Sequence, residues 1–418
     1  MTHVTDQTDV QPAGDAAGGS GPGEKFGGGG PGLRPVWAEV DLDAIAYNAG
    51  LLAKTAGPAA LCAVVKADGY GHGAVPVARA ALRGGAHWLA VALVEEGLEL
   101  RDAGIDAPIL ILSEPTAPAM PDVVAARLTP SIYTQEGIDA AGAAVSRTAN
   151  PRGAGTRSSP PLPVHVKVDT GMHRVGAFPD EALRLATAVD SHPALQLEGL
   201  FTHLAVADEV GDPYTAEQLA RFEAVVAGLA VHGVTPRLRH AANSAGALWH
   251  PDARLDLVRC GISLYGLSPC AEGAGDAVVA ALRPALSLRA RVSHVKTLDG
   301  GARVSYGLRY TLPQRSVIAT VPIGYADGVP RRLGAVGGEV LVGGRRRPVA
   351  GTVTMDQLLV DCGPGAGVAV GDEVVLIGAQ GGEAISAWEW AERTDTIAYE
   401  VVCGLSQRVP RAYRTRER

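Results

Sequence analysis

Residues 61–73 read Leu61-Cys62-Ala63-Val64-Val65-Lys66-Ala67-Asp68-Gly69-Tyr70-Gly71-His72-Gly73. Five mostly apolar residues predict a buried strand, and Lys66 stands where that strand ends. The loop behind it carries three glycines, an aromatic ring and an imidazole, and Ala74–Leu82 then reads as helix. Desolvation at the end of a buried strand lowers a lysine's pKa and turns its amine into a Schiff-base nucleophile. Taken alone, such a lysine is more often a solvated cap. The loop shifts that balance. Gly69, Gly71 and Gly73 let backbone approach a ligand, while Tyr70 and His72 supply polar tips beside the amine.

The strand-then-helix rhythm repeats along the chain. Val/Ile/Leu-rich runs fall at Leu61–Lys66, His87–Leu93, Ile109–Ser113, Thr129–Tyr133, Val164–Asp169, Leu197–His203, Leu238–Asn243 and Leu255–Gly261. Between them, stretches such as Glu95–Ala103, Gly137–Thr148, Asp180–Val189 and Thr215–Val231 carry apolar residues at helical spacing. This pattern predicts an α/β fold, an eight-stranded (β/α)8 barrel of the TIM type. An open doubly wound sheet is disfavoured by the strand count and by the lack of a Gly-x-Gly-x-x-Gly turn after the first strand. Asn150–Pro163 reads as a surface loop. After about Leu282 the pattern turns to short strands at Ala285–Leu298, Ser316–Ile323, Gly338–Val342, Arg347–Val353, Gln357–Asp361 and Glu373–Ile377. Gly-rich turns break them, and one helix is expected at Ala387–Arg393. The expected organisation is a Gly-rich tail over 1–33, a barrel over 34–282 and a mainly-β domain over 283–418. The early run Val36–Leu42 is expected to pair into that β domain.

A chain of 418 residues is long enough for a large barrel plus a second core. Its net charge of −7 argues against nucleic acid or an anionic membrane as partner. Five scattered cysteines without paired spacing fit a reducing compartment and offer neither a metal knuckle nor a disulfide frame. No apolar run is long enough to cross a bilayer. Residues 1–32 hold ten glycines and lack the basic start and apolar middle of a signal peptide. A disordered tail and a cytoplasmic protein are the expectations.

In such a barrel, function sits at the carboxyl ends of the strands. Those ends carry Lys66, then Asp169 to Arg174, then Thr202-His203, then Asn243-Ser244, then Arg259 to Ile262. Each residue alone has an ordinary explanation: a loop charge, a core histidine, half of an ion pair. A ring of them round one mouth is harder to dismiss. Barrels commonly hold a phosphate after strands seven and eight, where this chain offers Ser244 and the N–H groups of Gly261 and Ile262. A reactive lysine opposite a phosphate cradle suggests pyridoxal 5′-phosphate, with an arginine toward the ring nitrogen.

The stretch Ala63 to Gly73 resembles the cofactor-lysine signature of alanine racemases. Further matches follow in that family's order: Lys167-Val-Asp-Thr-Gly-Met-His-Arg174, Thr202-His203, Asn243-Ser244, Arg259-Cys-Gly-Ile262-Ser-Leu-Tyr-Gly266, Val304-Ser-Tyr306-Gly, Gly324-Tyr325-Ala-Asp-Gly, Met355-Asp356-Gln357 and Thr396-Ile-Ala-Tyr399-Glu. The resemblance runs from residue 34 to residue 411. It implies a barrel followed by a β domain, a head-to-tail homodimer with shared sites, and two-base interconversion of L- and D-alanine that supplies D-alanine for peptidoglycan.

By the same resemblance, Lys66 would carry the cofactor as a Schiff base. Tyr70, Ser244, Gly261, Ile262 and Tyr399 would hold the phosphate, and His203 and Arg259 would line the ring. Arg174 and the backbone at Met355 of the partner chain would take the substrate carboxylate. Tyr306, also from the partner, would be the second base, its phenolate favoured by the His203–Arg259 pair. Lys167 matches a lysine that is often carbamylated in relatives. Two departures stand out: Thr352 replaces an arginine carried by many relatives, and His173 replaces a frequent glycine. The rival expectations are a racemase of broader specificity, a decarboxylase on related architecture, and a non-catalytic pyridoxal-phosphate barrel. Carriers of that last kind resemble the barrel half only.

Overall fold

The computed structural model describes residues 33–149, 160–271 and 276–415. The expected tail lies outside the described residues but for Leu33, as does the expected loop at 150–163 up to Ser159. Its last two residues, Leu162 and Pro163, belong to a strand instead.

Strand β1 (Val36–Asp41) alternates buried and half-buried positions and runs directly into helix α1 (Leu42–Ala56). Asp41 makes the junction: its Oδ1 accepts from the Asp43 and Ala44 amides at 3.0 and 2.9 Å, which caps the first turn. The barrel strands follow as β2 (Ala60–Val64), β3 (Trp88–Val91), β4 (Ile109–Ile111), β5 (Thr129–Ile132), β6 (Leu162–Lys167), β7 (Leu195–Phe201), β8 (Leu238–His240) and β9 (Leu257–Cys260). All neighbouring pairs are parallel, in the order β8-β7-β6-β5-β4-β3-β2-β9. Looser bonds draw β8 and β9 together, Asp256 N to Arg239 O at 3.0 Å and Arg259 N to Ala242 O at 3.0 Å, leaving a nearly closed ring. The predicted helices between strands appear at Val94–Asp102, Gln135–Ala149, Pro179–Ser191 and Tyr214–Val231. The buried face of Pro179–Ser191 is small and aliphatic, with Ala182, Leu185, Ala186 and Val189, and suits a helix packed on a sheet.

Several strands stop earlier than their apolar runs. β2 ends at Val64 because the chain leaves it for a left-handed turn. Ala67, Asp68, Gly69 and Tyr70 have φ of 53°, 50°, 60° and 53°. Three of these are not glycine, so the turn is costly in itself. It is held from outside: Glu96 Oε1 accepts from Ala67 N at 2.6 Å and Asp68 Oδ1 from Ala74 N at 2.8 Å. Gly71 (φ 77°) leaves no room for a side chain, since a Cβ there would lie 2.4 Å from the Val402 carbonyl oxygen. In the run Leu238–Asn243, the strand ends at His240 and Asn243 instead caps the helix Ser244–Trp249.

A short helix at Ala277–Ala281 leads into the second region, which is mainly strand, with 3-10 turns at Tyr306–Leu308, Tyr325–Asp327 and Leu333–Val336 and two short helices near its end. Its strands are β10 (Leu286–Arg291), β11 (His294–Leu298), β12 (Arg303–Val304), β13 (Tyr310–Thr311), β14 (Ser316–Val321), β15 (Glu339–Val342), β16 (Arg345–Pro348), β17 (Leu358–Asp361), β18 (Glu373–Gln380), β19 (Glu383–Ile385) and β20 (Arg411–Arg414). The run Ala285–Leu298 is therefore two strands, and they enter different sheets. The larger sheet runs β16-β15-β18-β10-β1-β20, with β19 on β18. β1 pairs antiparallel with β10 and parallel with β20, so the early strand does join the β region. β11-β14-β17 form a second sheet, and β12-β13 a hairpin. Arg411, at the start of β20, donates from Nε to the Gly71 carbonyl at 2.9 Å and ties the β region to the Lys66 turn.

Candidate active site

The carboxyl ends of the barrel strands bring Lys66, Lys167, Arg174, His203, Ser244 and Arg259 round one mouth, as the strand pattern implied. Lys66 is half-buried, and its pKa is lowered by burial first and then by the Arg174 guanidinium. More of its amine is therefore neutral and nucleophilic near pH 7 than in a free lysine.

Arg259, on β9, is 3% exposed and held on several sides. One terminal nitrogen donates to His240 Nδ1 at 2.6 Å. The other donates to the carbonyls of Thr202 and Ala241 at 2.8 and 2.9 Å and approaches His203 Nδ1 at 3.3 Å. Among the described residues nothing engages its Nε. Burial lowers its pKa to about 10, so it stays charged at neutral pH. His203 and His240 are both pushed well below the usual histidine value, by burial first and by Arg259 next. The charge of the His203–Arg259 pair therefore sits on the guanidinium alone, where the sequence reading had treated the pair as one positive source.

Opposite Lys66 lies a small cradle. Gly261 N donates to Ser244 Oγ at 2.9 Å, and the 3-10 turn Ile262–Tyr265 follows. A Cβ on Gly261 would lie 2.4 Å from the Tyr70 hydroxyl, so the glycine lets that phenol pack directly against the backbone. Tyr70 stacks on Tyr265 at 4.8 Å and faces Tyr399 at 6.2 Å between ring centroids. Burial raises the pKa of both Tyr70 and Tyr399, so both keep their proton and can donate it in hydrogen bonds.

Lys167 ends β6 and is 5% exposed. Burial, then Arg259 and Arg174, lower its pKa to about 8. No described residue hydrogen-bonds its amine. Beyond it, Asp169 shapes the loop that leads to Arg174: its Oδ1 accepts from the Gly171 and His173 amides at 3.0 Å each, and its Oδ2 faces His173 Nδ1 at 3.1 Å. His173 has φ 56°, which explains why glycine suits this position. Arg174 itself is exposed and has no hydrogen-bond or ion-pair partner among the described residues.

Tyr306 and Met355 do not join this ring. They lie in the β region, 72% and 52% exposed, and no hydrogen bond or ring contact links either to Lys66 among the described residues. Their segments are joined instead, because Thr352, three residues before Met355, bonds to the Tyr306 turn. The sequence reading also missed residues. His240 and His165 form a buried chain behind Arg259, His165 Nδ1 to His240 Nε2 at 2.8 Å. Reading only the last residue of each run passed over both, although they point from barrel strands as Arg259 does. Glu96, the staple of the Lys66 turn, carried no signal beyond a charge at a helix start.

Comparison with known proteins agrees over both halves. The profile for the alanine racemase N-terminal domain matches residues 40–269, and that for the C-terminal domain matches residues 285–413. The alanine racemase of Symbiobacterium thermophilum is 50% identical over 382 residues, 91% of this chain and 98% of that protein. Among solved structures, alanine racemase from E. faecalis superposes with a TM-score of 0.83 at 42% identity, covering 92% of this chain and 99% of that one. The enzyme from D-cycloserine-producing Streptomyces lavendulae gives 0.84 at 38% identity, over 92% and 98%. Fold and site thus define a class, the racemases built from an α/β barrel and a β domain. Within it, the chain belongs to the alanine racemase family. Among the described residues no helix is long and apolar enough to cross a membrane.

Proposed function

We propose that this chain interconverts L- and D-alanine with pyridoxal 5′-phosphate bound at Lys66, as a cytoplasmic homodimer that shares its active sites and supplies D-alanine for peptidoglycan. The observation that carries the reading is the grouping of half-buried Lys66, buried Arg259 and the Gly261 backbone against the Tyr70 hydroxyl, in a chain matched to the family over both halves. Residues and cofactor fit. Lys66 would take the aldehyde, and Tyr70, Ser244, Tyr399 and the amides of Gly261 and Ile262 would hold the phosphate. Arg259 Nε, free among the described residues, would face the ring nitrogen beside His203. When bound, the cofactor supplies an electron-withdrawing ring that acidifies the substrate's α-proton.

The chain's own groups do the rest. Arg174, exposed and unpaired, would hold the substrate carboxylate, joined by the backbone of Met355 from the partner. Lys66 would move the proton on one face and the partner's Tyr306 on the other, which inverts the centre without turning the substrate. A guanidinium does not give up its proton, so Arg259 would stabilise negative charge on the ring only weakly; this limits side reactions. The neutral amine of Lys167 would add to carbon dioxide, and two protons in all would leave the starting ammonium to give a carbamate anion. That exchanges a buried cation beside Arg174 for an anion that steadies it. The exposure of Tyr306, Leu308 and Met355 on joined segments supports a second copy covering them. A division of the chain near Leu282 is proposed on the gap between the matched spans, which end at 269 and resume at 285.

The test is L-alanine with pyridoxal phosphate in heavy water, following optical rotation and α-deuterium together. Loss of rotation with deuterium in the product, abolished in Lys66→Ala and Tyr306→Phe, is the expected result. Exchange without inversion in the wild type would refute the placement of the second base. No exchange of alanine, with another amino acid active, would move the substrate.

A further inference from the structure

The turn that carries Tyr306 is weakly held by its own residues. Its flanking strands β12 and β13 have two residues each, and so short a ribbon is marginal in water. Ser305 has φ 62° and ψ −179°, a region that glycine alone occupies readily, and Leu308 has φ 49°. Within the turn, Leu308 N donates to Ser305 O at 3.0 Å and Arg303 Nε to Leu308 O at 2.8 Å. The contacts on either side of the Ser305–Tyr306 peptide, at the Ser305 side chain and the Tyr306 carbonyl, come from elsewhere in the chain.

They come from residues 351 and 352. Ser305 Oγ donates to the Thr352 carbonyl at 2.5 Å, and Thr352 Oγ1 donates back to the Tyr306 carbonyl at 3.0 Å. One bond runs each way, and together they bracket the peptide on which the tyrosine is mounted. Gly351, at φ 84°, lets the two segments meet: a Cβ there would lie 3.0 Å from Ser305 Cβ and 3.1 Å from the Val304 carbonyl oxygen. The same segment continues to Met355, and it is fixed in turn by Tyr325 N to Thr354 O and Ala326 N to Met355 O, both 3.0 Å. Tyr306 and Met355 are therefore two tips of one braced unit, and Thr352 is the brace between them.

We propose that Thr352 is a positioning residue: its carbonyl holds the Ser305 hydroxyl, its hydroxyl holds the Tyr306 carbonyl, and together they aim the Tyr306 phenol at the substrate's α-carbon. This rests on the reading of Tyr306 as second base. A threonine hydroxyl is short enough to reach the adjacent carbonyl while staying clear of the tyrosine ring. The chain's departure from arginine at this position thus acquires a role in aiming the base.

Thr352→Val removes the hydroxyl at nearly constant shape, and Thr352→Ser keeps it. In the holoenzyme, Thr352→Val should lower kcat by about three- to tenfold, as one lost hydrogen bond would, with KM little changed, and Thr352→Ser should match the wild type. Starting from the enantiomer whose proton Lys66 removes, Thr352→Val should let more deuterium enter without inversion; from the other enantiomer it should not. Amide exchange over residues 303–311 should quicken in Thr352→Val only. An unchanged Thr352→Val, an equally impaired Thr352→Ser, or a rise in exchange without inversion from both enantiomers would overturn the proposal. If Tyr306→Phe is harmless, the reading of the base falls and takes this inference with it. If Tyr306→Phe is crippling and Thr352→Val is neutral, this inference falls alone.

Discussion

The barrel mouth and the Tyr306–Met355 face are built in opposite ways. At the mouth, burial dominates: Arg259 spends its terminal nitrogens on four acceptors, and Lys66 and Lys167 have their pKa lowered by burial. On the face, Tyr306 and Met355 stand exposed on turns braced from behind. Buried charge needs fixed partners, because a group left unpaired in low dielectric is expensive. An exposed phenol has no such need. It gains a defined setting only when another surface covers it. On the proposed homodimer, the contrast means that each chain would build one half of a site for itself and lend the other half to a second copy.

The largest effects should separate the two halves. Lys66→Ala and Tyr306→Phe should each lower racemisation by about a hundredfold or more, the scale of a lost proton-transfer group or nucleophile. Mixing the two inactive proteins through an unfolding or dissociating step is the sharper measurement. A hybrid dimer would hold one site with both groups intact and one with neither. Activity should then return to about one quarter of wild type, since random pairing makes half the dimers hybrids with one working site each. No recovery, with exchange of subunits demonstrated by mass, would break the comparison by placing both groups on one chain.

That division was legible in the sequence only in part. The barrel was readable because each apolar run buries one strand and the spacing between runs leaves room for one helix. Strand ends were less so. Periodicity reports burial, and residues such as Lys66 and Ala241 to Asn243 remain buried or half-buried after the strand has turned away. The left-handed turn at Ala67–Tyr70 was not legible at Ala67 and Asp68, because Glu96, distant in sequence, holds the Ala67 amide and Asp68 binds Ala74 N where glycine would be usual. Of the site, strand-end residues were visible as a ring. The histidines behind Arg259 were not, since nothing in one sequence shows that His165 and His240 would meet. Tyr306 and Met355 owed their selection to the family pattern, because an exposed aromatic on a short hairpin resembles any surface tyrosine.

Acid should loosen the two regions unequally. Burial lowers the pKa of His72 to about 4 and of His165 to about 3, and holds His203 and His240 well below the ordinary value. All four belong to the barrel. In the unfolded chain they take up protons below pH ~6.5, so their contribution to stability is complete above that pH and is lost as pH falls toward 4. For His72 alone the loss is of the order of 3 kcal/mol by pH 4. Denaturation midpoints followed by peptide-resolved amide exchange should show the barrel opening before the β region as pH drops from 6.5 to 4. A β region that opens first, or a flat profile across that window, would show that the buried histidines do not govern acid stability.

The smallest effect asked of the molecule compares the two strained turns directly. Ala67 at φ 53° and Ser305 at φ 62° both hold conformations that favour glycine. At Ala67 the turn is kept by its backbone amide, which Glu96 binds and a glycine would retain. Ala67→Gly should therefore relieve strain and raise stability by about 0.5–1 kcal/mol, read as a shift of the thermal midpoint. At Ser305 the side chain itself holds the turn, through the bond from its Oγ to the Thr352 carbonyl. Ser305→Gly should gain the same relief and lose a hydrogen bond of similar size, for a net change near zero and a looser hairpin. Equal gains at both sites would mean that the Ser305 bond contributes nothing, and the brace on the exposed half would then rest on the Thr352 hydroxyl alone.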